Sequence, residues 1–232
     1  MELVKGAFVV IEGVDGVGKT EQAKRFKEAL DYMNISAILT KTPGEMRPEG
    51  LVGSTLGPIV RDVLFSDKYV DVGYESKSML LLADHLLLVE EVIKPAVAAK
   101  CIVVSDRFMD SQFATWNKPA EDPVNQTFSR FYRCIPDLTF LLTGDPTECF
   151  ERASNRGSQD NEKQSNKPWN SVEALNQIQE NYKHLVVNST IRRVVTIDTI
   201  GKDIDEVHNE VVESFTEWLV ENQYLLKESQ ET

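Results

Sequence analysis

Eight consecutive residues near the start of the chain fit a pattern that binds the phosphate groups of nucleotides. They are Gly13, Val14, Asp15, Gly16, Val17, Gly18, Lys19 and Thr20, which match G-x-x-x-x-G-K-[ST] in full. Glycines in such a loop let backbone N–H groups point inward at phosphate oxygens, and a following helix adds the positive end of its dipole. Lys19 would place a full charge beside the β- and γ-phosphates, and the Thr20 hydroxyl could bind Mg²⁺. The pattern predicts a site for ATP with a magnesium ion.

The residues around this loop predict the strand and the helix that it needs. An apolar run at 7–11 precedes it, and a helical pattern at 19–32 follows it. Further runs at 37–39, 101–104, 138–142 and 194–197 are typical of buried strands. Helical patterns separate them, at about 55–65, 76–99, 123–133, 147–155, 171–188 and 204–222. This alternation predicts an α/β fold with a doubly wound, parallel five-stranded sheet flanked by helices.

A helix start and a polar segment mark the second half of the chain. Asp145 supplies a capping carboxylate, Pro146 is a proline at the first helical position, and Glu148 is a glutamate at the third. Together they are typical of the start of a helix. The polar segment 157–170 has no apolar period and predicts a loop. We expect one domain over residues 1–232, with a lid at about 152–170.

Composition limits the partners and the location of the protein. The 25 basic and 37 acidic side chains give a net charge of −12, which would repel a nucleic-acid polymer. The three cysteines form no C-x-x-C pair, so structural disulfides and zinc are not expected. The apolar run at 7–11 is too short for a signal peptide, and the apolar segment 79–89 is interrupted by Asp84 and His85. We therefore expect a cytoplasmic protein that binds no membrane.

Beyond the loop, the chain resembles the thymidylate kinase family over nearly its whole length. The segments that match, in the family's order and spacing, are Val9–Gly13, Thr40–Gly44, Val89–Ala96, Asp106-Arg107 with Ser111 and Ala114, and Pro136–Thr139. The resemblance implies transfer of the γ-phosphoryl group of ATP to deoxythymidine monophosphate (dTMP), with Mg²⁺ and usually in a homodimer. Such a transfer depends on positioning and electrostatics more than on covalent catalysis.

The resemblance also implies roles for three charged residues near the loop. Asp106 and Arg107 follow the run 101–104, and ligands of open α/β sheets bind at the carboxyl ends of strands. Asp106 would hold Mg²⁺ through water, and the Thr20 hydroxyl would bind the same ion. Arg107 would clamp the acceptor phosphate, a task that suits its planar fork of donors. Asp15 would accept a hydrogen bond from the 3′-hydroxyl of the acceptor.

Further family positions would contact the acceptor nucleotide. Arg61 matches an arginine that reaches it, and Ser111 keeps the family's small polar residue. Pro43 belongs to the same matched turn as Lys41, which stands where the family's T-R-E-P-G turn has arginine. Lysine keeps that charge but loses the bidentate geometry.

Two arginines lead into the predicted lid. Arg152 and Arg156 are four residues apart, so on a helix they share a face. In the family, arginines in this segment stabilise charge on the transferred phosphoryl group, and Val17 offers no such charge from the loop itself. With Lys19 and Arg107 they form the expected catalytic set. The family's lid pair of an acid and an arginine is only Asp160-Asn161 here.

Four positions of the expected base pocket depart from the family. Leu81 replaces a stacking phenylalanine, His85 replaces a base-reading arginine, Thr115 replaces a tyrosine and Trp116 a glutamine. A thymidylate kinase that recovers stacking elsewhere, for example from Trp116, explains these changes. The alternative is altered base specificity, for a 5-substituted deoxyuridylate, dUMP or another deoxynucleoside monophosphate.

Two other functions remain to be weighed. A kinase of deoxynucleosides would not need Arg61 and Arg107 to clamp an acceptor phosphate. A non-catalytic nucleotide-binding regulator would be expected to lose Lys19 or the two lid arginines, and all three are present. The sequence therefore favours an enzyme that phosphorylates a nucleoside monophosphate.

Overall fold

The centre of the fold is a parallel sheet, seen in a computed structural model that describes residues 3–44, 50–116, 122–131, 134–159, 170–187 and 192–225. The strands are β1 (Ala7–Gly13), β2 (Ala37–Lys41), β3 (Leu51–Val52), β4 (Ile102–Asp106), β5 (Leu138–Thr143) and β6 (Arg193–Asp198). They lie in the order β3-β2-β4-β1-β5-β6, and every neighbouring pair is parallel. The predicted doubly wound α/β class is confirmed.

The prediction of five strands is wrong, because the described sheet has six. The additional strand is β3, which pairs with β2 through Leu39 opposite Leu51 and Thr40 opposite Val52. A strand of two residues at the edge of a sheet carries no periodic pattern that a sequence could reveal.

Helices separate most of the strands along the chain, and one more helix follows β6. They are α1 (Lys19–Tyr32), α2 (Gly57–Phe65), α3 (Tyr74–Leu88), α4 (Lys94–Ala98), α5 (Asp110–Trp116), α6 (Pro123–Phe131), α7 (Pro146–Gln159), α8 (Val172–Val187) and α9 (Ile204–Glu221). The sequence patterns did not predict α5, which has only seven residues. In the part of the chain described, no helix has the length and apolar character needed to cross a membrane.

Two predicted boundaries need correction. The helix expected at 76–99 is interrupted by a π-helical turn, Val89–Ile93, between α3 and α4. Pro95 explains the wider turn, since its ring would clash with the carbonyl group of Glu91 in a regular α-helix. The loop expected to begin at residue 157 begins later, because α7 continues to Gln159. The rest of the expected lid, 160–169, lies outside the described residues.

Each face of the sheet supports its own apolar core. On one face, Phe26 of α1 packs edge-on against Phe215 of α9, with ring centroids 4.9 Å apart. On the other, Phe8 of β1 packs edge-on against Phe108, also at 4.9 Å. All seven residues of β1 are buried, as expected for a central strand covered on both faces.

The order of the strands indicates where a ligand would bind at the carboxyl end of the sheet. The chain leaves β1 and reaches β2 on one side, whereas it leaves β4 and reaches β5 on the other side of β1. The carboxyl ends of β1 and β4 therefore flank the point where the winding direction reverses, and a crevice forms there in open α/β sheets. Gly13 ends β1 and Asp106 ends β4.

Candidate active site

The phosphate-binding loop lies between the end of β1 and the first turn of α1. Gly16 has a φ of 83°, and a Cβ atom there would lie 1.9 Å from the carbonyl oxygen of Cys149 in α7. Only glycine fits, because a side chain would need both a strained backbone and space that α7 occupies. Gly18 is the N-cap of α1, and since glycine has no side chain, it does not cap the first N–H groups of the helix. The first N–H groups of α1 can therefore bind an anion.

Lys19 is buried inside this loop. Its Nζ donates a hydrogen bond to the Val14 carbonyl oxygen at 2.6 Å and lies 3.8 Å from Oδ1 of Asp15. Burial, together with the charge of Arg107, lowers the pKa of Lys19 to about 7. A bound triphosphate would favour the charged form, so the ammonium group suits a polyanion at this position.

Two oxygen ligands at the base of the loop fit a divalent cation. The Thr20 hydroxyl donates to Oδ2 of Asp106 at 2.6 Å. Oδ1 of Asp106 is buried and has no hydrogen-bond partner among the described residues. Mg²⁺ is usually bound by one or two protein oxygens together with phosphates and water, so this small donor set fits it. Thr20 and Asp106 are thus the residues that would hold the ion.

Asp106 is held in its ionised form by the cations around it. Burial alone would favour the neutral acid, but the charges of Lys41, Lys19 and Arg107 outweigh burial and lower the pKa of Asp106. Lys41 is the nearest of these, with its Nζ 2.8 Å from Oδ2 of Asp106. An ionised carboxylate is the form that binds a metal ion.

Arg107 follows β4 with an unusual backbone conformation. Its φ of 75° lies in the left-handed region, which residues with a side chain seldom adopt. The Arg107 N–H donates to the Ile11 carbonyl oxygen at 3.1 Å. Its own carbonyl oxygen accepts from Ser105 Oγ at 2.6 Å and from Thr42 Oγ1 at 3.3 Å. These contacts hold the strained turn that aims the side chain back toward the loop.

The guanidinium group of Arg107 is anchored at both of its terminal nitrogens. Nη1 donates to the Gly13 carbonyl oxygen, to Ser111 Oγ and to the Tyr182 hydroxyl, each at 3.1 Å. Nη2 donates to Oδ1 of Asp15. The structure therefore brings Arg107 and two other residues of the expected acceptor site, Asp15 and Ser111, into direct contact beside the phosphate-binding loop.

Glu12 forms a second layer behind Arg107. Its Oε1 accepts from the Phe108 N–H at 2.8 Å, and its Oε2 accepts from Ser111 Oγ at 2.8 Å and from the Tyr182 hydroxyl at 3.0 Å. Burial and the charge of Asp110 raise the pKa of Glu12 to about 7, although Arg107 acts in the opposite direction. The carboxyl group thus orients the two hydroxyls that contact Arg107.

Glu12 and Tyr182 are the parts of the site that sequence patterns did not identify. Tyr182 lies on α8 and shares its buried face with Leu175 and Ile178, so its spacing predicts only core packing. Gln179, one turn before it, exchanges two hydrogen bonds with the backbone of Gly144, at 3.0 and 3.1 Å. This pair fixes α8 against the end of β5 and so positions the Tyr182 hydroxyl.

The turn after β2 closes the acceptor side of the site. The Thr42–Pro43 peptide bond is cis, and both residues are buried. Gly44 packs directly against the start of α2, since a Cβ atom on Gly57 would lie 2.5 Å from the Gly44 carbonyl oxygen. The turn therefore brings the end of β2 and the start of α2, the helix that carries Arg61, next to each other.

The sequence profile of one protein family matches most of the chain. That family is described as thymidylate kinase, and the match covers residues 11–211. The chain belongs to the thymidylate kinase family. Thymidylate kinase of Mycoplasma capricolum is 30% identical over 220 residues, which are 93% of this chain and 97% of that protein. Thymidylate kinase of Maridesulfovibrio salexigens is 32% identical over 208 residues, or 85% of this chain and 92% of that protein.

A solved structure supports the thymidylate kinase fold. The crystal structure of thymidylate kinase from Ehrlichia chaffeensis matches with a TM-score of 0.66 at 23% identity and covers 91% of this chain and 99% of that one. Members of this family are phosphotransferases that use ATP as the phosphoryl donor, so the chain is an enzyme of that class. A non-catalytic regulator and a deoxynucleoside kinase are therefore set aside.

His85, one of the residues expected in the thymidylate kinase base pocket, is deeply buried. It is only 1% exposed, and its ring packs edge-on against Phe108 with centroids 5.2 Å apart. Burial lowers the pKa of His85 to about 3, so the ring is neutral at physiological pH. Leu81 is half-buried against the same core, and Thr115 is half-buried on α5. The side chain of Trp116 lies outside the described residues.

Two other arginines of the expected thymidylate kinase site, Arg61 and Arg152, contact residues of their own helices. The guanidinium carbon of Arg61 lies 5.2 Å from the ring centroid of Phe65 on the same helix. Arg152 is exposed on α7 and pairs with Glu148 at 2.8 Å. Arg156 is also in α7, but its side chain is among those not described, and Asp160-Asn161 lies beyond the described residues. Their roles stay predictions.

Proposed function

We propose that this protein transfers the γ-phosphoryl group of ATP to dTMP, with Mg²⁺, and so forms dTDP for dTTP synthesis. The proposal depends on one observation. The carboxylate of Asp15 lies between Lys19, which would bind the donor phosphates, and Arg107, which would bind the acceptor phosphate. Oδ1 of Asp15 accepts from Nη2 of Arg107 and lies 3.8 Å from Nζ of Lys19. Phosphates bound by these two side chains would be neighbours, as phosphoryl transfer requires.

Each residue of the site then has a defined task. The loop N–H groups and Lys19 would bind the β- and γ-phosphates, and Arg107 would hold the phosphate of the acceptor. An oxygen of the acceptor phosphate attacks the γ-phosphorus, the bond to the β-phosphate oxygen breaks, and ADP leaves. Thr20 and Asp106 would hold Mg²⁺, which neutralises charge on the phosphates. Arg152 and Arg156 would add positive charge from α7.

A screen of acceptors with ATP and Mg²⁺, read by the mass of the products, tests this proposal. The panel contains dTMP, dUMP, 5-substituted dUMPs, dGMP and thymidine. We expect dTMP to be converted to dTDP with the highest kcat/KM. Absence of any nucleoside diphosphate product would contradict the proposal, and phosphorylation of thymidine but not of dTMP would indicate a nucleoside kinase.

A second candidate function, with a different acceptor base, is favoured by the position of His85. Because its ring is buried and neutral, it cannot supply the charge of the arginine that the family has there. Leu81 in place of phenylalanine also removes a stacking surface. If a 5-substituted dUMP or another deoxynucleotide exceeds dTMP in kcat/KM in the same screen, this candidate replaces dTMP as the acceptor.

We also propose that the protein is a cytoplasmic homodimer that binds ATP and a nucleoside monophosphate and no nucleic-acid polymer. The net charge of −12 opposes binding to a polyanion. Apolar residues at the surface of α2, α3 and α6, among them Ile59, Met79 and Phe131, are compatible with a helix-packed dimer. Light scattering should give twice the mass of 26.2 kDa, and a monomer at all concentrations would contradict the dimer.

A further inference from the structure

Lys41 lies at the place where the two expected ligands of the metal ion meet. It is the last residue of β2, and register places it opposite Asp106 on β4. Its Nζ donates to Oδ2 of Asp106 at 2.8 Å and lies 3.4 Å from the Thr20 hydroxyl. The ammonium group thus contacts both oxygen donors that would hold Mg²⁺.

A divalent cation and this ammonium group would compete for the same carboxylate. Mg²⁺ approaches its oxygen ligands to about 2.0–2.1 Å, so an ion bound by Asp106 and Thr20 would lie within a few ångströms of Nζ. Like charges repel strongly at such distances when water is largely excluded, and Asp106 is only 3% exposed. The Lys41 side chain is 28% exposed, so it has room to move away.

The residue type at this position suits such a movement. Lysine carries a compact charge on a flexible stem, whereas arginine has a rigid fork. The next residue, Thr42, stands where the T-R-E-P-G turn has glutamate, and its hydroxyl contacts the Arg107 carbonyl oxygen at 3.3 Å. The turn of this chain thus has no carboxylate next to Lys41, and Asp106 is the carboxylate that Lys41 contacts.

We propose that Lys41 is an exchangeable counter-ion: it neutralises Asp106 before the divalent cation binds, and it moves to the acceptor phosphate when the cation takes its place. The acceptor and the cation then help each other to bind, because each favours the position of Lys41 that the other needs. By thermodynamic linkage, each must raise the affinity for the other by the same factor. The acceptor half of this inference rests on the proposed function, whereas the exchange at Asp106 does not.

Binding of Mn²⁺, followed by electron paramagnetic resonance without ATP, tests the exchange. We compare the wild type with Lys41→Met, which removes the charge, and with Lys41→Arg, which keeps it. Lys24→Met, at an exposed lysine of α1, is the matched control for loss of one positive charge. We expect Lys41→Met to bind Mn²⁺ at least about tenfold more tightly than the wild type, Lys24→Met and Lys41→Arg do. Equal Mn²⁺ affinity of the wild type and Lys41→Met, or no measurable binding by either, would overturn the proposal.

The coupling with the acceptor is measured by repeating each titration with saturating dTMP. In the wild type, dTMP should raise the affinity for Mn²⁺ several-fold, and in Lys41→Met this increase should disappear. An undiminished increase in Lys41→Met would show that the coupling does not pass through Lys41 and would overturn this part. Wild-type turnover of dTMP is measured in parallel. If dTMP is not an acceptor, the proposed function fails, but the titrations without dTMP still test the exchange at Asp106.

Discussion

Arg107 is the residue at which the buried contacts of the site converge. Its side chain contacts the loop carbonyl of Gly13, the carboxylate of Asp15, and the hydroxyls of Ser111 and Tyr182. A guanidinium group that is fixed by several acceptors loses little further freedom when it binds a phosphate. The contacts of the second layer should therefore influence catalysis even though they do not touch the expected acceptor.

Tyr182→Phe should weaken the hold of the site on the acceptor without unfolding the protein. The variant keeps the ring but removes the hydroxyl that accepts from Arg107 and donates to Glu12. Hydrogen bonds to charged groups contribute about 1.5–3 kcal/mol, so we expect kcat/KM for the acceptor to fall by about tenfold or more. Steady-state kinetics with separate kcat and KM values measure this effect.

Tyr32→Phe is the control for this variant, because Tyr32 is 91% exposed. It should keep the wild-type kinetics, and both variants should keep the wild-type circular dichroism spectrum. If Tyr182→Phe has the kcat/KM of Tyr32→Phe, the hydroxyl has no part in positioning Arg107.

Residues next to a recognisable motif could be predicted from the sequence, and residues that arrive from distant elements could not. The loop pattern pointed to Lys19 and Thr20, and the resemblance to the family pointed to Asp106 and Arg107 at the end of a strand. Tyr182 is separated from its partner Glu12 by 170 positions, and its helix has an ordinary amphipathic pattern. No local signal distinguishes such a residue from a core tyrosine.

At the scale of elements, the start of α7 supports the phosphate-binding loop. The predicted cap is confirmed: Oδ1 of Asp145 accepts from the N–H groups of Thr147 and Glu148, at 2.9 and 3.0 Å. Cys149, in the same turn, packs against Gly16 of the loop. Loosening the first turn of α7 should therefore disturb the ATP site.

Asp145→Ala and Asp203→Ala form a matched pair that tests this link. Asp203 caps α9 in the same way, through the N–H groups of Asp205 and Glu206. Loss of a helix cap costs about 1 kcal/mol, so both variants should lose a similar free energy of unfolding in urea. Only Asp145→Ala should raise the KM for ATP, by several-fold. An equal KM for ATP in the two variants would contradict a role of α7 in the loop.

The elements that the sequence predicted well are those whose pattern is long and local. The central strands β1, β4 and β5 are mostly apolar, and α1 begins directly at the loop motif. β3 has two residues and depends on its pairing with β2, and α5 is a single short helix. Such elements form because of tertiary contacts, which no short sequence window contains.

At the scale of the whole molecule, the buried His85 should make the fold sensitive to acid. Burial lowers the pKa of His85 from 6.5 to about 3 in the folded protein. Between these two pH values, His85 is protonated in the unfolded chain and neutral in the folded protein. The free energy of unfolding should therefore decrease as the pH falls from about 6.5 toward 3, by up to about 1.4 kcal/mol per pH unit from this group.

Urea unfolding of the wild type and of His85→Leu at several pH values measures this contribution. The variant should show a smaller decrease of the unfolding free energy between pH 6.5 and 4, whatever its stability at neutral pH. Glu12, whose raised pKa has the opposite effect, is present in both proteins and cancels in the comparison. Parallel curves for the two proteins would mean that His85 does not titrate on unfolding.

The central claim is that the Gly13–Thr20 loop delivers a γ-phosphoryl group to an acceptor held by Arg107. Transfer from ATP labelled with ¹⁸O on its γ-phosphate, followed by the mass of the dTDP formed, measures this step directly in the wild type and in Lys19→Ala. We predict labelled dTDP from the wild type and only a background amount from Lys19→Ala, with an unchanged circular dichroism spectrum. Labelled dTDP from Lys19→Ala at the wild-type rate, or label only in inorganic phosphate from the wild type, would contradict the account.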